Sequence, residues 1–325
     1  MMSEHTQYKL PRIVTDPWGK STYGWVPEMS KDGITIRISK STMNNTKWCM
    51  QQLWLSQIIP VPDEPHSYLV IGDDVHHTME WFYDKMESQM KSEGTDFMKW
   101  IQKLAKEDRV KGALAQLEEF LPDKDEIMKM RKPQNKNEPF YTATYNYNMD
   151  WLMRHEINRL ANTDDLETFL PVANEVKLTV KMDDYTTGGH TIPVTFVGII
   201  DRVFKNEDGG LVLMELKTGK WKPNKTSEMR REMSYYQWLI EMTPEEELRK
   251  LGLDEPVTHW AWRYSGADHW DYEPVKAVSK RAMQKVVNDL VQAYLNQEFP
   301  VTKDDFKCSF CKFQPYCPKF EEEIK

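Results

Sequence analysis

The chain has little cysteine. Four residues in 325 are too few and too unevenly placed to frame a secreted disulfide scaffold. No stretch approaches the roughly 18 apolar residues of a membrane span. Met1 to Leu10 carries no apolar run, so neither an anchor nor a secretory leader is expected. Also missing is the positive excess that coats a general nucleic-acid binder, since the net charge is −8. DNA affinity depends on the few charges that meet phosphate, so a local basic groove stays open. There is no internal repeat and no low-complexity tract. With 40% hydrophobic and 29% charged residues, what remains is a globular chain with material for one large domain or two ordinary ones. It is expected in a reducing compartment, cytoplasmic or otherwise intracellular, with no membrane partner.

The few cysteines are nevertheless patterned. Cys308, Cys311 and Cys317 form a C-x2-C-x5-C-P run ending at Pro318, and Cys49 lies near the other end of the chain. Four soft thiolates suit a four-ligand 4Fe–4S cluster, with tetrahedral zinc as the alternative. A group assembled from these four would staple the two ends of the chain together.

The first 30 residues, rich in Pro, Gly and aromatics, read as an extended arm. Ser39 or Ser41 can cap a helix that carries Trp48, Cys49, Leu53 and Trp54 towards Ile58, before Pro60, Pro62 and Pro65 break the pattern. A second helix is expected after Gly72, with Asp73 and Asp74 at its positive end, running through Trp81 and Met86. From Phe97 to Leu160 the pattern is mostly helical, interrupted around Pro133 to Pro139. The period then shortens to two. Glu175 to Val180 and Thr191 to Phe204 read as strands, Asn206 to Gly210 as a turn, and Leu211 to Lys217 as the hairpin partner. Glu228 to Glu241 reads as helix, and His259 to Tyr264 as a strand with Trp260, Trp262 and Tyr264 on one face. Ser279 to Asn296 reads as the last helix. Strands in mid-chain with helices on both sides indicate an α/β core with a helical insertion before it.

Chemistry concentrates on the hairpin. Asp201 follows Gly198, Ile199 and Ile200, and Glu215, Leu216 and Lys217 close the partner strand. Alternation puts Glu215 and Lys217 on one face, and the hairpin can bring Asp201 beside Glu215. Two carboxylates at the end of apolar strands require a cation or hydrogen bonds. Hard oxygen donors favour Mg²⁺ or Mn²⁺, while the plainer reading is a surface ion pair between Glu215 and Lys217. Basic residues then accumulate at Lys220, Lys222, Lys225, Arg230 and Arg231, either a solvated loop and helix start or a phosphate-binding strip beside the metal. Trp221 and Trp270 can stack on unpaired bases, whereas Trp260 and Trp262 are more simply a buried strand face.

Gly-x-x-Asp followed by Glu-x-Lys-Thr-Gly resembles the PD-(D/E)XK nuclease superfamily, and within it the RecB-like exonuclease branch. Its iron–sulfur members, including CRISPR-associated RecB-like exonucleases and AddB-type helicase–nuclease subunits, are similar in placing one cysteine before the nuclease core and three after it. Gly72 to Glu80 resembles that branch's Gly-x-x-x-His-x-x-x-Glu helix, and Glu232 to Tyr236 its Gln-x-x-x-Tyr helix. Together the matches span Ser39 to Pro318.

The resemblance implies a restriction-endonuclease-like core, a mixed central sheet flanked by helices. Five segments follow: 1–71, an arm and helix with the first cluster cysteine; 72–96, the motif helix; 97–170, a helical insertion; 171–300, the nuclease core; and 301–325, the cysteine segment. It further implies that His76, Asp201, Glu215 and the backbone carbonyl of Leu216 hold Mg²⁺ or Mn²⁺, with Lys217 catalytic beside Asp201 and Glu215. His77 competes with His76 from about 100° round the helix, and the Gly72 register selects His76. Tyr236, Glu232, Lys220, Lys222 and Arg231 would meet DNA.

The implied activity is exonucleolytic cleavage of single-stranded DNA ends, with 5′ to 3′ the polarity to test. It would serve replication, recombination, repair or CRISPR adaptation, with a helicase or recombination partner and self-assembly both open. Two departures stand out: Glu232 replaces the branch's Gln, and no proline precedes Asp201. The rival reading is a non-catalytic DNA-binding or assembly factor that keeps the nuclease fold.

Overall fold

The structure, a computed structural model, describes residues 36–58, 67–107, 109–123, 127, 138–296, 298–302, 304–317 and 319, with strand pairs at 14–15, 21–22, 29–30 and 33–34. Most of the expected N-terminal arm, the breaks at Pro60, Pro62, Pro65 and Pro133, and Pro318 lie outside the described residues. In chain order the strands are β1 (Val14–Thr15), β2 (Ser21–Thr22), β3 (Met29–Ser30), β4 (Gly33–Ile34), β5 (Ile36–Ser39), β6 (Ala173–Thr187), β7 (His190–Lys205), β8 (Leu211–Lys217), β9 (Val257–Tyr264) and β10 (His269–Pro274). The helices are α1 (Lys40–Trp48), α2 (Met50–Ile58), α3 (Ser67–Glu93), α4 (Asp96–Lys106), α5 (Val110–Glu118), α6 (Glu138–Ala161), α7 (Thr226–Met242), α8 (Glu245–Leu251), α9 (Ala277–Asn296) and α10 (Asp305–Ser309). The fold is mixed α/β, a central mixed sheet with helices about it.

The chain divides into two compact units, one of Met1–Asp63, Leu178–Gly198 and Val278–Lys325, the other of Glu64–Lys177 and Ile199–Ala277. Strands β6 and β7 are long enough to run through both. In the first unit β5 lies parallel to the early part of β7, from Ile36 opposite Val194 to Ser39 opposite Val197. Ile36 and Ile38 are buried and Arg37 is exposed, the alternation of a strand with one covered face. Of the two candidate caps, Ser39 is the one used: its Oγ accepts the Thr42 N–H at 3.2 Å. The helix it starts does not continue to Ile58. The backbone is extended at Cys49 (φ −165°, ψ 121°), and α2 restarts at Met50.

In the second unit β8 is central. It pairs antiparallel with β7 from Arg202·Met214 to Lys205·Leu211 and parallel with β9 as far as Lys217·Tyr264. Strand β10 lies antiparallel on β9. Every residue of β8 up to Leu216 is buried, which is why it reads as one apolar run rather than an alternation. Val212, Met214 and Leu216 face a core shared with α3 to α6, which includes Val75, Met79, Phe82, Met98, Ile101, Leu152 and Ile157. Helix α7 covers the other face, burying Met229, Met233 and Tyr236 at helical spacing. Trp260, Trp262 and Tyr264 are buried as expected for one strand face.

Helix α3 begins at Ser67, ahead of the start expected after Gly72. Val70 and Ile71 are buried, and their packing carries the helix straight through the glycine. Strand β10 and helix α8 were not anticipated.

A buried charge cluster ties α6 to β9. Glu156 is fully buried and takes Arg263 Nη1 on Oε1 and Arg159 Nη2 on Oε2, the latter at 2.8 Å. Burial opposes its ionisation, but Arg159 and Arg263 outweigh burial and hold its pKa below the ordinary carboxylate value. Removing the carboxylate strands two guanidiniums, so Glu156→Ala is expected to lose about 3–5 kcal/mol of stability, measured by urea unfolding. The sign with pH follows from the depressed folded pKa. The contribution is present above the unfolded value of about 4.3 and is lost as pH falls through the folded one. The acid limb of a wild-type stability profile should therefore flatten in the variant.

Candidate functional site

The β7–β8 ladder ends at Arg202·Met214, so pairing stops where Asp201 and Glu215 come opposite one another. Backbone groups inside a protein must find partners, and those of Leu216 find side chains. Its N–H donates to Asp201 Oδ2 at 2.7 Å, and its carbonyl stands 3.1 Å from His76 Nε2. The strand end beyond is pinned by Ser265, whose Oγ donates to Asn148 Oδ1 at 2.6 Å and lies 3.4 Å from the Lys217 carbonyl. Gly266 allows this approach, because a Cβ there would lie 2.2 Å from the Thr218 carbonyl oxygen.

His76 reaches the site from α3. Its Nδ1 is 3.4 Å from Glu175 Oε1 and 3.7 Å from Asp201 Oδ2. Burial works against a charged imidazole, but Asp201 and then Glu175 outweigh it and raise the His76 pKa. Helix geometry turns His77 away: it is exposed and pairs with Glu80 at 3.4 Å. His76, Glu175 and Asp201 are the one group of three metal-donor residues, among the described residues, whose donor atoms all lie within 4.8 Å of one another. Imidazole with carboxylates is a donor set for a divalent ion. The 3.1 Å between His76 Nε2 and the Leu216 carbonyl matches the spacing of about 3 Å between neighbouring ligands on bonds near 2.1 Å.

Glu175 was not singled out from sequence. The signal available was an acidic residue opening an otherwise alternating strand, and its backbone adds another: φ is +45°, a region that non-glycine residues rarely enter and that clusters at functional sites.

Glu215 is buried beside this group, with Oε1 taking Lys217 Nζ at 2.5 Å. The same ammonium donates to Glu232 Oε2 at 3.1 Å, so the hairpin's ion pair is a three-membered arrangement rather than a surface pair. Tyr236, one turn along α7, is also buried. Burial, then the charges of Glu215 and Asp201, hold its phenol well above the ordinary pKa. Of the residues expected to meet DNA, Lys220 and Lys222 are exposed, Arg231 is half-buried, and Glu232 and Tyr236 lie inside against Lys217 and its neighbours. Arg230 in the basic run is engaged by Glu273 through two bonds of 2.6 Å. Trp221 stacks on His269 with centroids 4.1 Å apart, and Trp270 is exposed.

In the first unit the four cysteines line one small cavity together with Trp48, Leu55, Val301 and Lys307. Cys49 occupies the break between α1 and α2. Thr302 Oγ1 donates to the Trp48 carbonyl at 3.1 Å, Lys307 Nζ donates to the Lys47 carbonyl at 3.2 Å, and Trp54 stacks on Phe299 at 4.6 Å. All four thiols are unbridged. Burial first, and then the charges of the other cysteines, push the Cys311 and Cys317 thiols up.

The profile of the PD-(D/E)XK nuclease superfamily matches residues 37–318. The chain belongs to that superfamily. Its members are generally nucleases that use divalent metals such as Mg²⁺, with DNA as the substrate the family implies. No curated protein sequence matches the chain. A solved structure described as "Crystal structure of SSO0001" aligns over 86% of this chain and 95% of that one, at 12% identity and a TM-score of 0.31, a likeness too slight to carry an argument. Among the described residues, no helix is long and apolar enough to cross a membrane.

Proposed function

We propose that this chain is a Mg²⁺- or Mn²⁺-dependent deoxyribonuclease, an exonuclease of the RecB-like branch acting on single-stranded ends, with a 4Fe–4S cluster holding its N- and C-terminal segments together. The observation that carries the reading is the convergence of His76, Asp201 and the Leu216 carbonyl at the end of the β7–β8 ladder, with Glu215 and Lys217 beside them. His76, Asp201, Glu215 and the Leu216 carbonyl would hold the ion. When bound, it supplies Lewis-acid polarisation of the scissile phosphate and water acidic enough to attack.

The protein's own groups do the rest. Asp201 fixes the Leu216 peptide, so that the carbonyl stays aimed at the site. Glu175 accepts from His76 Nδ1 and leaves Nε2 to face the ion, the usual partnership of a metal-bound imidazole with a carboxylate. Lys217 brings a fixed positive charge to the phosphate as negative charge develops there. Lys220 and Lys222 supply exposed charge for the backbone of the strand.

Four thiolates gathered at one small cavity support a four-ligand 4Fe–4S cluster, with tetrahedral zinc as the alternative. When bound, the cluster would supply four iron–thiolate bonds that cross-link Cys49 to the C-terminal segment.

The test is protein purified without oxygen and incubated with Mn²⁺ and end-labelled single-stranded DNA. Cleavage by wild type and none by an Asp201 variant is the expected result, and blocking each end in turn then gives polarity. A folded, iron-loaded sample that binds DNA without cutting it would favour the assembly-factor reading, or a helicase or recombination partner that completes the enzyme.

A further inference from the structure

We propose that Glu232 is a positioning residue that takes over Lys217 when Glu215 turns to the divalent ion, and so sets the affinity of the centre for that ion. The inference rests on the metal-site part of the proposed function and on nothing else in it.

Lys217 Nζ lies 2.5 Å from Glu215 Oε1 and 3.1 Å from Glu232 Oε2. Both carboxylates are only 1% exposed. Two buried carboxylates sharing one ammonium is an arrangement that each carboxylate needs, since a buried charge without a partner is strongly unfavourable. Glu215 is not among the donors gathered within 4.8 Å at His76, Glu175 and Asp201. Lys217 holds one of its oxygens, Oε1, and a turn of the carboxylate that brings both oxygens to the ion would loosen that bond. A lysine released at that moment would face an incoming double positive charge at close range. Glu232 is the group already bonded to the same nitrogen.

Its place is fixed by its helix. Met229, Met233 and Tyr236 bury the surrounding face of α7, so Glu232 holds still while Glu215 shifts. As a carboxylate, Glu232 brings charge as well as an acceptor to the ammonium, a stronger hold than a neutral amide would give.

The experiment is Mn²⁺ binding to the full-length protein without DNA, followed by the rise in melting temperature and by loss of the free-ion paramagnetic resonance signal. Glu232→Gln is expected to weaken binding about tenfold, the scale of losing a partner behind a metal ligand. In a Lys217→Met background the same substitution should matter at most about threefold, because the cation it manages is gone. Glu232→Asp keeps the charge but withdraws it by one methylene. It too should weaken binding, and it carries the test if the Gln variant does not fold.

Unchanged affinity in Glu232→Asp would overturn the proposal. So would an equal loss from Glu232→Gln with and without Lys217, which would mean that Glu232 is only a remote charge attracting the ion. In either case wild-type binding and cleavage would leave the nuclease reading standing. Wild-type protein that binds no Mn²⁺ at all would overturn the metal centre and this proposal together.

Discussion

Asp201→Asn should reduce cleavage by at least about a thousandfold while leaving the melting temperature of the metal-free protein within a few degrees of wild type. The size of the loss follows from what one carboxylate does. It would be a ligand to the ion, and it accepts the Leu216 N–H at 2.7 Å, which aims the carbonyl that would be a second ligand. Losing a single preorganised charge-stabilising group lowers turnover by about 10²–10³, and here one change disturbs two ligands.

The fold should survive, because asparagine keeps the side chain's volume and an amide oxygen for the same N–H. Relieving a buried negative charge close to Glu215 offsets what the weaker bond loses. Single-turnover cleavage of labelled DNA and a thermal melt of the same preparation make the check. Substantial cleavage by the folded variant would remove Asp201 from the mechanism, while an unfolded variant would make its role structural.

The parts of the site that were legible in sequence are those set by strand alternation. Glu215 and Lys217 share a face because a strand repeats every two residues, and Asp201 reaches them because Asn206 and Gly210 close the hairpin through Asn206 Oδ1 and the Gly210 N–H at 2.8 Å. His76 was preferred to His77 because the Gly72 register of the resembled helix selects it.

What sequence did not give was long-range. Glu175 enters the site through one backbone angle, φ +45°, that no side-chain pattern announces. The pairing of Glu232 with Lys217 depends on how α7 lies against β8, which periodicity does not state. The break at Cys49 was hidden because the residues on both sides of it favour helix, so a continuous helix to Ile58 was the natural expectation. Strand β10 escaped for a related reason. Its exposed positions hold Trp270 and Tyr272, so the usual contrast between apolar inside and polar outside is inverted.

Cys308→Ala should produce the largest fall in stability of any single substitution outside the buried charge cluster, together with loss of bound iron and reduced cleavage. Protein contacts also hold the cysteine segment in place. Among the described residues they include a small apolar cluster of Leu55, Phe313 and Cys317 with half-buried neighbours, the Trp54–Phe299 stack, and hydrogen bonds such as that from Thr302 to the Trp48 carbonyl. Such contacts resist only a modest loop-closure entropy. That entropy grows with the logarithm of loop length, and Cys49 and Cys308 bracket most of the chain.

A covalent link across a loop of about 100 residues or more is worth roughly 4–5 kcal/mol in the chain-entropy account. For a protein of this size that corresponds to a fall in melting temperature on the order of 10 °C. Alanine removes one of four ligands, and of the three that remain Cys311 and Cys317 are thiols that burial and their neighbours hold up in pKa, which makes those two less ready to ionise and bind.

Cleavage should fall less than in the Asp201 variant, and should partly return on cooling, because the residues proposed to hold the ion are untouched. Iron content, visible absorption and melting temperature, measured on protein kept from oxygen, make the comparison. An iron-free Cys308→Ala protein that melts with wild type would end the structural role of the cluster. An iron-free protein that is stable yet inactive at every temperature would assign the cluster to the reaction instead.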